Sequence, residues 1–199
     1  MVKSLVREHI RILLMDFNHM DKEERMKGLI ELIPDLELMY HFDHNQPAHC
    51  YDVFEHTLAV VDKMPYDETS RLAALLHDIG KPLKMVKTDD GVSHYWGHPM
   101  LSYAMSERIL RELDYGEDIV KTVSNLCLYH DSYIDSSYLE FITVASQIGF
   151  SNIDRLMMLQ RADLHSHAAW YSEKHEMQLN ESHEHIREFM RKAHEENYY

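Results

Sequence analysis

Apolar residues along this chain recur three and four positions apart far more often than they alternate, which is the period of a helix with one buried face. Segment 2–15 carries Val6, Ile10, Leu13 and Leu14, segment 69–79 carries Leu72, Leu75, Leu76 and Ile79, and segment 117–130 carries Ile119, Val123, Leu126 and Cys127. Each predicts an amphipathic helix. Pro99 suits the first turn of another over 99–113, where Leu101, Met105, Ile109 and Leu113 repeat every four residues. Two more are predicted over 151–169 and over the charged tail 173–196, whose stripe is Ile186, Phe189, Met190 and Ala193. The exception is 84–96, where Asp90-Gly91 can turn a small hairpin between two short stretches. The expected fold is all-α, a helical bundle with at most one β-hairpin, and no repeat or Pro/Gly-rich linker divides it.

Composition narrows the class. At 199 residues and 45% hydrophobic content the chain suits one domain, 1–199, with a sizeable core. Its two cysteines, Cys50 and Cys127, follow no finger or disulfide-framework spacing, so a reducing cytoplasm is expected. No apolar run approaches the roughly 18 residues of a membrane span, and no targeting segment is evident. A net charge of −14, from 34 acidic and 20 basic residues, argues against long nucleic acid and for a small substrate. Of the sixteen histidines, His175, His183, His185 and His194 stand among Glu and Lys and are expected in solvent, without a catalytic role.

Six other positions do not fit an ordinary core. His56, the pair His77-Asp78, His98, His130 and Asp163 all fall where a helix would aim them inward. Gly80 is expected to supply a left-handed cap and Pro82 a stop, so that His77 and Asp78 end their helix and converge on one centre. Asp78 has two oxygens and can bridge two ions. Asp163 follows Leu156 by seven residues and Ile153 by ten, on one stripe. Taken singly, His130 reads as a core histidine bonded to a carbonyl, His98 as a residue opening a helix, and His56 as the partner of Asp52. Taken together, these readings leave a buried carboxylate without a partner, whereas a metal site accounts for all six residues. Imidazole and carboxylate ligands suit Mn, Fe, Co, Ni or Zn better than Mg. Lys81 can offset developing phosphate charge or simply complement a helix dipole. His49 and His94 each precede a ligand and are expected to bind substrate or transfer a proton.

The order His56, His77-Asp78, Asp163 resembles the H…HD…D signature of HD-domain metal-dependent phosphohydrolases, and Leu76-His77-Asp78-Ile79-Gly80-Lys81-Pro82 is a form often seen there. Residues 52–58 and His94-Tyr95-Trp96-Gly97-His98 look like the HD domain behind the transferase domain of bacterial CCA-adding enzymes. The likeness covers roughly 45–165. A freestanding HD protein is implied, with CCA addition itself not expected, because no transferase motif precedes the match. By this resemblance His56, His77, Asp78 and Asp163 would hold one ion, and Asp78, His98 and His130 a second. Asp131 would be an extra ligand or a solvent-facing residue. Asp78, Lys81 and His94 would be catalytic, and His49 and Lys81 would bind substrate. The implied reaction is hydrolysis of a phosphomonoester or phosphodiester of a nucleotide or similar small phosphate, a 2′,3′-cyclic phosphate included. In it two ions about 3.5 to 4 Å apart share a water and lower its pKa toward ~7. An RNA end is the substrate suggested by the CCA-type likeness. Two alternatives remain open at this point, a di-iron HD-type oxygenase and a non-catalytic helical module binding RNA or protein. Oligomeric state and native metal are not fixed by residue order.

Overall fold

Short acidic or hydroxyl side chains start several of the helices, because the first N–H groups of a helix have no carbonyl within reach. In this computed structural model, which describes residues 3–15, 20–49 and 51–196, ten α-helices account for most of the chain. α1 (Lys3–Met15) leads to α2 (Lys22–Leu32), capped by Asp21, and to a 3-10 segment, Pro34–Met39. α3 (Val53–Lys63) is capped by Asp52, whose carboxylate accepts from the Glu55 N–H at 2.7 Å. Asp52 is thus committed to its own helix start and leaves His56 to other partners. α4 (Glu68–Leu76) is capped in the same way by Asp67. After the single turn α5 (Lys81–Lys84) come β1 (Val86–Lys87) and β2 (Ser93–His94), antiparallel with Val86 opposite His94. Gly91 takes φ +82° in the connection, so the hairpin forms where Asp90-Gly91 predicts it. α6 (His98–Glu112), α7 (Glu117–Tyr129), α8 (Tyr138–Ile148), α9 (Ile153–Leu164) and α10 (Ala169–Glu195) complete the order.

The all-α expectation holds, with boundaries moved: the helix read over 69–79 ends at Leu76, and the tail helix begins at Ala169, not 173. α9 stops at Leu164, not near 169, because the Ser166 N–H and hydroxyl bond back to the carbonyls of Asp163 and Ala162. The Ala168 N–H then bonds to the Ala48 carbonyl, which draws this turn against the 44–49 loop.

α4 is the centre of the packing. Every residue from Ser70 to Leu76 is buried, against α3, α7, α9 and α1. A helix buried on all sides delivers the residues after its last turn into the interior, and here those residues are His77 and Asp78. No helix among the described residues is long and apolar enough to cross a membrane. Cys127 is a buried free thiol, pushed up to about 12 by burial, and Cys50 lies outside the described residues.

Candidate metal centre

Five elements supply the inward-facing groups. His56 comes from α3, His77 and Asp78 from the end of α4, His98 from the first residue of α6, His130 from the end of α7 and Asp163 from the last turn of α9. Three of the histidines are oriented by one device. The Nδ1 of His77, His98 and His130 lies 2.7, 2.9 and 2.7 Å from the carbonyl three residues earlier, of Ala74, Tyr95 and Cys127. A carbonyl only accepts, so Nδ1 carries the hydrogen and Nε2 faces the centre, the arrangement of metal-binding imidazoles. His56 Nδ1 lies 3.4 Å from the Ser166 carbonyl.

The groups form two clusters joined by one carboxylate. In the first, Asp163 Oδ1 lies 2.9 Å from His56 Nε2 and 3.6 Å from His77 Nε2, while Asp78 Oδ2 lies 3.8 and 3.2 Å from the same nitrogens. In the second, Asp78 Oδ1 lies 3.1 Å from His98 Nε2 and 3.6 Å from His130 Nε2. Asp131 reaches these two nitrogens at 3.4 and 3.3 Å from a half-exposed position. Asp78 therefore turns one oxygen toward each histidine pair.

This donor set fits divalent metal. Neither oxygen of Asp78 nor the Nε2 of His77 has a hydrogen-bond partner, although all are buried. Lys81 Nζ approaches Asp78 Oδ2 at 2.6 Å, an ion pair without the alignment of a hydrogen bond. The charge of Asp78 is met by ion pairs with Lys81 and the surrounding imidazoles, not by directed hydrogen bonds. The Nε2 atoms of His98 and His130 stand 3.3 Å apart. Two imidazole nitrogens bound to one ion at about 2.0–2.1 Å would stand roughly that far apart. Burial opposes charge throughout the centre, yet Asp78 and Asp163 outweigh it at His77, whose imidazole is held up to about 10. Asp131 and Asp78 likewise raise His130 against burial. At His56 burial wins and the imidazole is lowered. Asp78 is held well below the usual carboxylate range by His77 and Lys81, and Asp163 by His167 and His56, both against burial. Protonated imidazole at His77 and the Lys81 ammonium thus balance the charge of Asp78 and Asp163.

A cavity of about 410 Å³ opens above Lys81, His98, Asp131 and Asp163. Asp163 is therefore at a cavity floor with 15% exposure, not sealed in the core as its stripe suggests. Lys81 is buried to 8% exposure and lines the cavity, so it is not a solvent-facing lysine at a helix end. His49 lines the cavity, its ring stacked on His44 at 3.5 Å and held neutral by burial and Lys81. His94 does not line it, but stacks on Trp96, which does.

Sequence reasoning passed over His44, Tyr133, His167 and Tyr171. His167 bonds through Nδ1 to the Asp163 carbonyl at 2.9 Å, and its ring lies 4.9 Å from that of Tyr171. The four-residue steps Asp163, His167, Tyr171 were the available signal, obscured by reading a continuous helix to 169. His183 also differs from expectation. It is 1% exposed, because α10 turns it onto α9 with Leu179 and Ile186. Its Nε2 lies 3.1 Å from the side-chain oxygen of Gln160, whose amide donates to the Ser132 carbonyl at 2.9 Å and the Tyr129 carbonyl at 3.5 Å. These carbonyls flank His130 and Asp131. Gln160→Leu is expected to weaken metal binding at the His98–His130 cluster about tenfold, the size of an outer-shell loss, as read by metal titration.

Gly80 corrects another expectation. Its φ is −80°, so no left-handed cap is present. Glycine is required by proximity, since a Cβ there would stand 2.8 Å from the His98 carbonyl oxygen and 2.9 Å from the Ser102 nitrogen. Pro82 opens α5 and does not act merely as a stop. Gly80→Ala must separate α6 from the His77-Asp78 turn, and is expected to lower stability by about 1–3 kcal/mol in denaturant titrations, with weaker metal binding.

The model of the HD domain family matches residues 48–163, more than half of the chain. The chain belongs to the HD-domain family. HD domains are typically metal-dependent hydrolases, and in this HD domain the matched span contains all six inward-facing His and Asp residues that could hold metal. No curated protein matches the chain.

Proposed function

We propose that this HD-domain protein is a metal-dependent phosphohydrolase acting on a phosphomonoester or phosphodiester of a nucleotide or similar small phosphate, 2′,3′-cyclic phosphates included. The supporting observation is Asp78, fully buried, with one oxygen toward each histidine pair beneath a cavity that also exposes Lys81. On this reading His56, His77, Asp78 and Asp163 hold one divalent ion, and Asp78, His98 and His130 a second, with Asp131 in reach. The all-nitrogen-and-oxygen donor set suits Mn, Fe, Co, Ni or Zn. Such ions supply Lewis acidity, which activates water and polarises the phosphoryl group.

The chain's own groups do the rest. Lys81 is the one Lys or Arg among the described residues lining the cavity, and Asp78 and Asp163 keep it charged against burial. It stands ready to offset charge on the phosphate. His49, neutral on the wall, can bind the substrate or pass a proton to it. The likeness of 52–58 and 94–98 to CCA-type HD domains supports an RNA end as the second reading. The net charge of −14 and the single lining cation favour a small substrate.

The test is metal analysis and phosphate release with chelator-stripped protein reloaded with manganese, nickel, cobalt or iron, on an aryl phosphate diester and a nucleotide panel. Metal-dependent release that disappears in His77→Ala is expected. Retention of both metal and turnover in that variant would overturn the reading, and oxygen consumption dependent on ferrous iron without phosphate release would replace it with an oxygenase. Lys81→Ala should keep its metal while kcat falls about a hundredfold, the scale of one lost charge-stabilising donor.

A further inference from the structure

Trp96 is out of place by composition alone. A large indole left 64% exposed forgoes much of the burial that usually holds tryptophan inside. It is nevertheless held in place. The His94 ring lies parallel to it, 4.7 Å between centroids and 6° between planes, and His94 is fixed in the hairpin opposite Val86. On its other side in the chain, Gly97 at φ +76° makes the turn into α6. Trp96 lines the same cavity as Lys81 and His98, and only Gly97 separates it from His98, a span of at most about 7 Å.

The neighbouring aromatic group is not available for the same work. Tyr95 is 7% exposed and its hydroxyl donates to the His44 carbonyl. Trp96 therefore offers a braced π surface at the cavity, while charge is concentrated at the floor in Lys81, Asp131 and Asp163. A ligand filling both places has a planar apolar ring at one end and a phosphate at the other, within a volume that suits a small molecule (about 300–1,000 Å³).

We propose that Trp96, braced by His94, is the stacking platform for the base of a nucleotide, so that the phosphate held over Asp78 and Lys81 belongs to a nucleoside phosphate and not to a sugar phosphate. This inference rests on the phosphohydrolase reading. It assigns His94 a positioning role, through the indole. Stacking is tolerant of base identity because every base has a π face, so purines and pyrimidines are both accepted.

The experiment uses the full-length, metal-loaded protein with nucleoside monophosphates and their 2′,3′-cyclic forms, against ribose 5-phosphate. Loss of one stacked base corresponds to about 5- to 150-fold. Trp96→Ala is therefore expected to raise KM for nucleotides at least fivefold with little change in kcat, Trp96→Phe to restore most of it, and His94→Ala to give a smaller rise. KM for ribose 5-phosphate should move less than twofold. Binding is read separately from turnover. The chain has two tryptophans, so Trp170→Phe leaves Trp96 as the sole tryptophan, and adenosine monophosphate should quench its selectively excited emission. Nucleotide hydrolysis with an unchanged KM in Trp96→Ala overturns the platform and leaves the hydrolase standing. Quenching without phosphate release from any compound supports the platform and overturns the hydrolase. The absence of both quenching and a KM shift overturns the platform.

Discussion

Asp78→Ala is expected to strip metal from both histidine clusters at once and to lower turnover by at least about a thousandfold. The reason is geometric. Each oxygen of this one carboxylate faces a different pair of Nε2 atoms, so a single substitution removes a donor from both clusters. The Lewis acidity at stake amounts to several kcal/mol, and about 4 kcal/mol corresponds to a thousandfold in rate. The substitution also leaves Lys81 buried without its closest partner, and breaking a buried pair costs about 3–5 kcal/mol. Asp78→Asn separates the two effects, since it keeps the volume and removes the charge. Elemental analysis of folded Asp78→Asn should find little metal. A variant that retained a full metal complement and wild-type turnover would show that Asp78 joins nothing.

Metal affinity is expected to rise steeply with pH, about tenfold per unit between pH 6 and 8 for each proton displaced. The sign follows from His77, whose imidazole is raised in the metal-free fold from its ordinary 6.5 to about 10 by Asp78 and Asp163, despite burial. Nε2 cannot carry a proton and bind an ion together, so ion and proton compete at every pH below that value. His130, raised by Asp131 and Asp78 against burial, steepens the dependence further. The same shift has the opposite consequence for the metal-free protein. A raised pKa stabilises the fold fully below 6.5, and that contribution is lost as pH climbs through about 10. Metal-free protein should therefore weaken toward alkaline pH while metal-loaded protein does not. Calorimetric titration with manganese in two buffers of different ionisation enthalpy counts the protons released. Zero release at pH 7 would rule out competition at His77.

Six of the ten helices among the described residues could be read from the chain because their information is local, whereas α2, α3, α5 and α8 were not. Leu72, Leu75 and Leu76, or Val123, Leu126 and Cys127, mark a buried face by spacing alone, and Asp90-Gly91 marks its turn by backbone preference. The inward placement of His56, His77, Asp78, His98, His130 and Asp163 was legible for a related reason, since each stands on the apolar stripe of its own helix or at its end. The misleading signals were also local. Gly80 looked like a left-handed cap, and is a glycine because α6 passes against it. His183 looked solvated among its charged neighbours, and is buried because α10 lies on α9.

Residue order by itself determined that this protein is helical, that it belongs with HD domains, and that His56, His77, Asp78, His98, His130 and Asp163 face inward. Tertiary structure alone decided which oxygen of Asp78 meets which histidine, that Lys81 is buried against that carboxylate, and that Trp96 stands braced at the cavity. The division has one physical cause. Helical periodicity is set by residues three or four apart, whereas the meeting of His56 with Asp163, 107 positions later, depends on how finished helices pack.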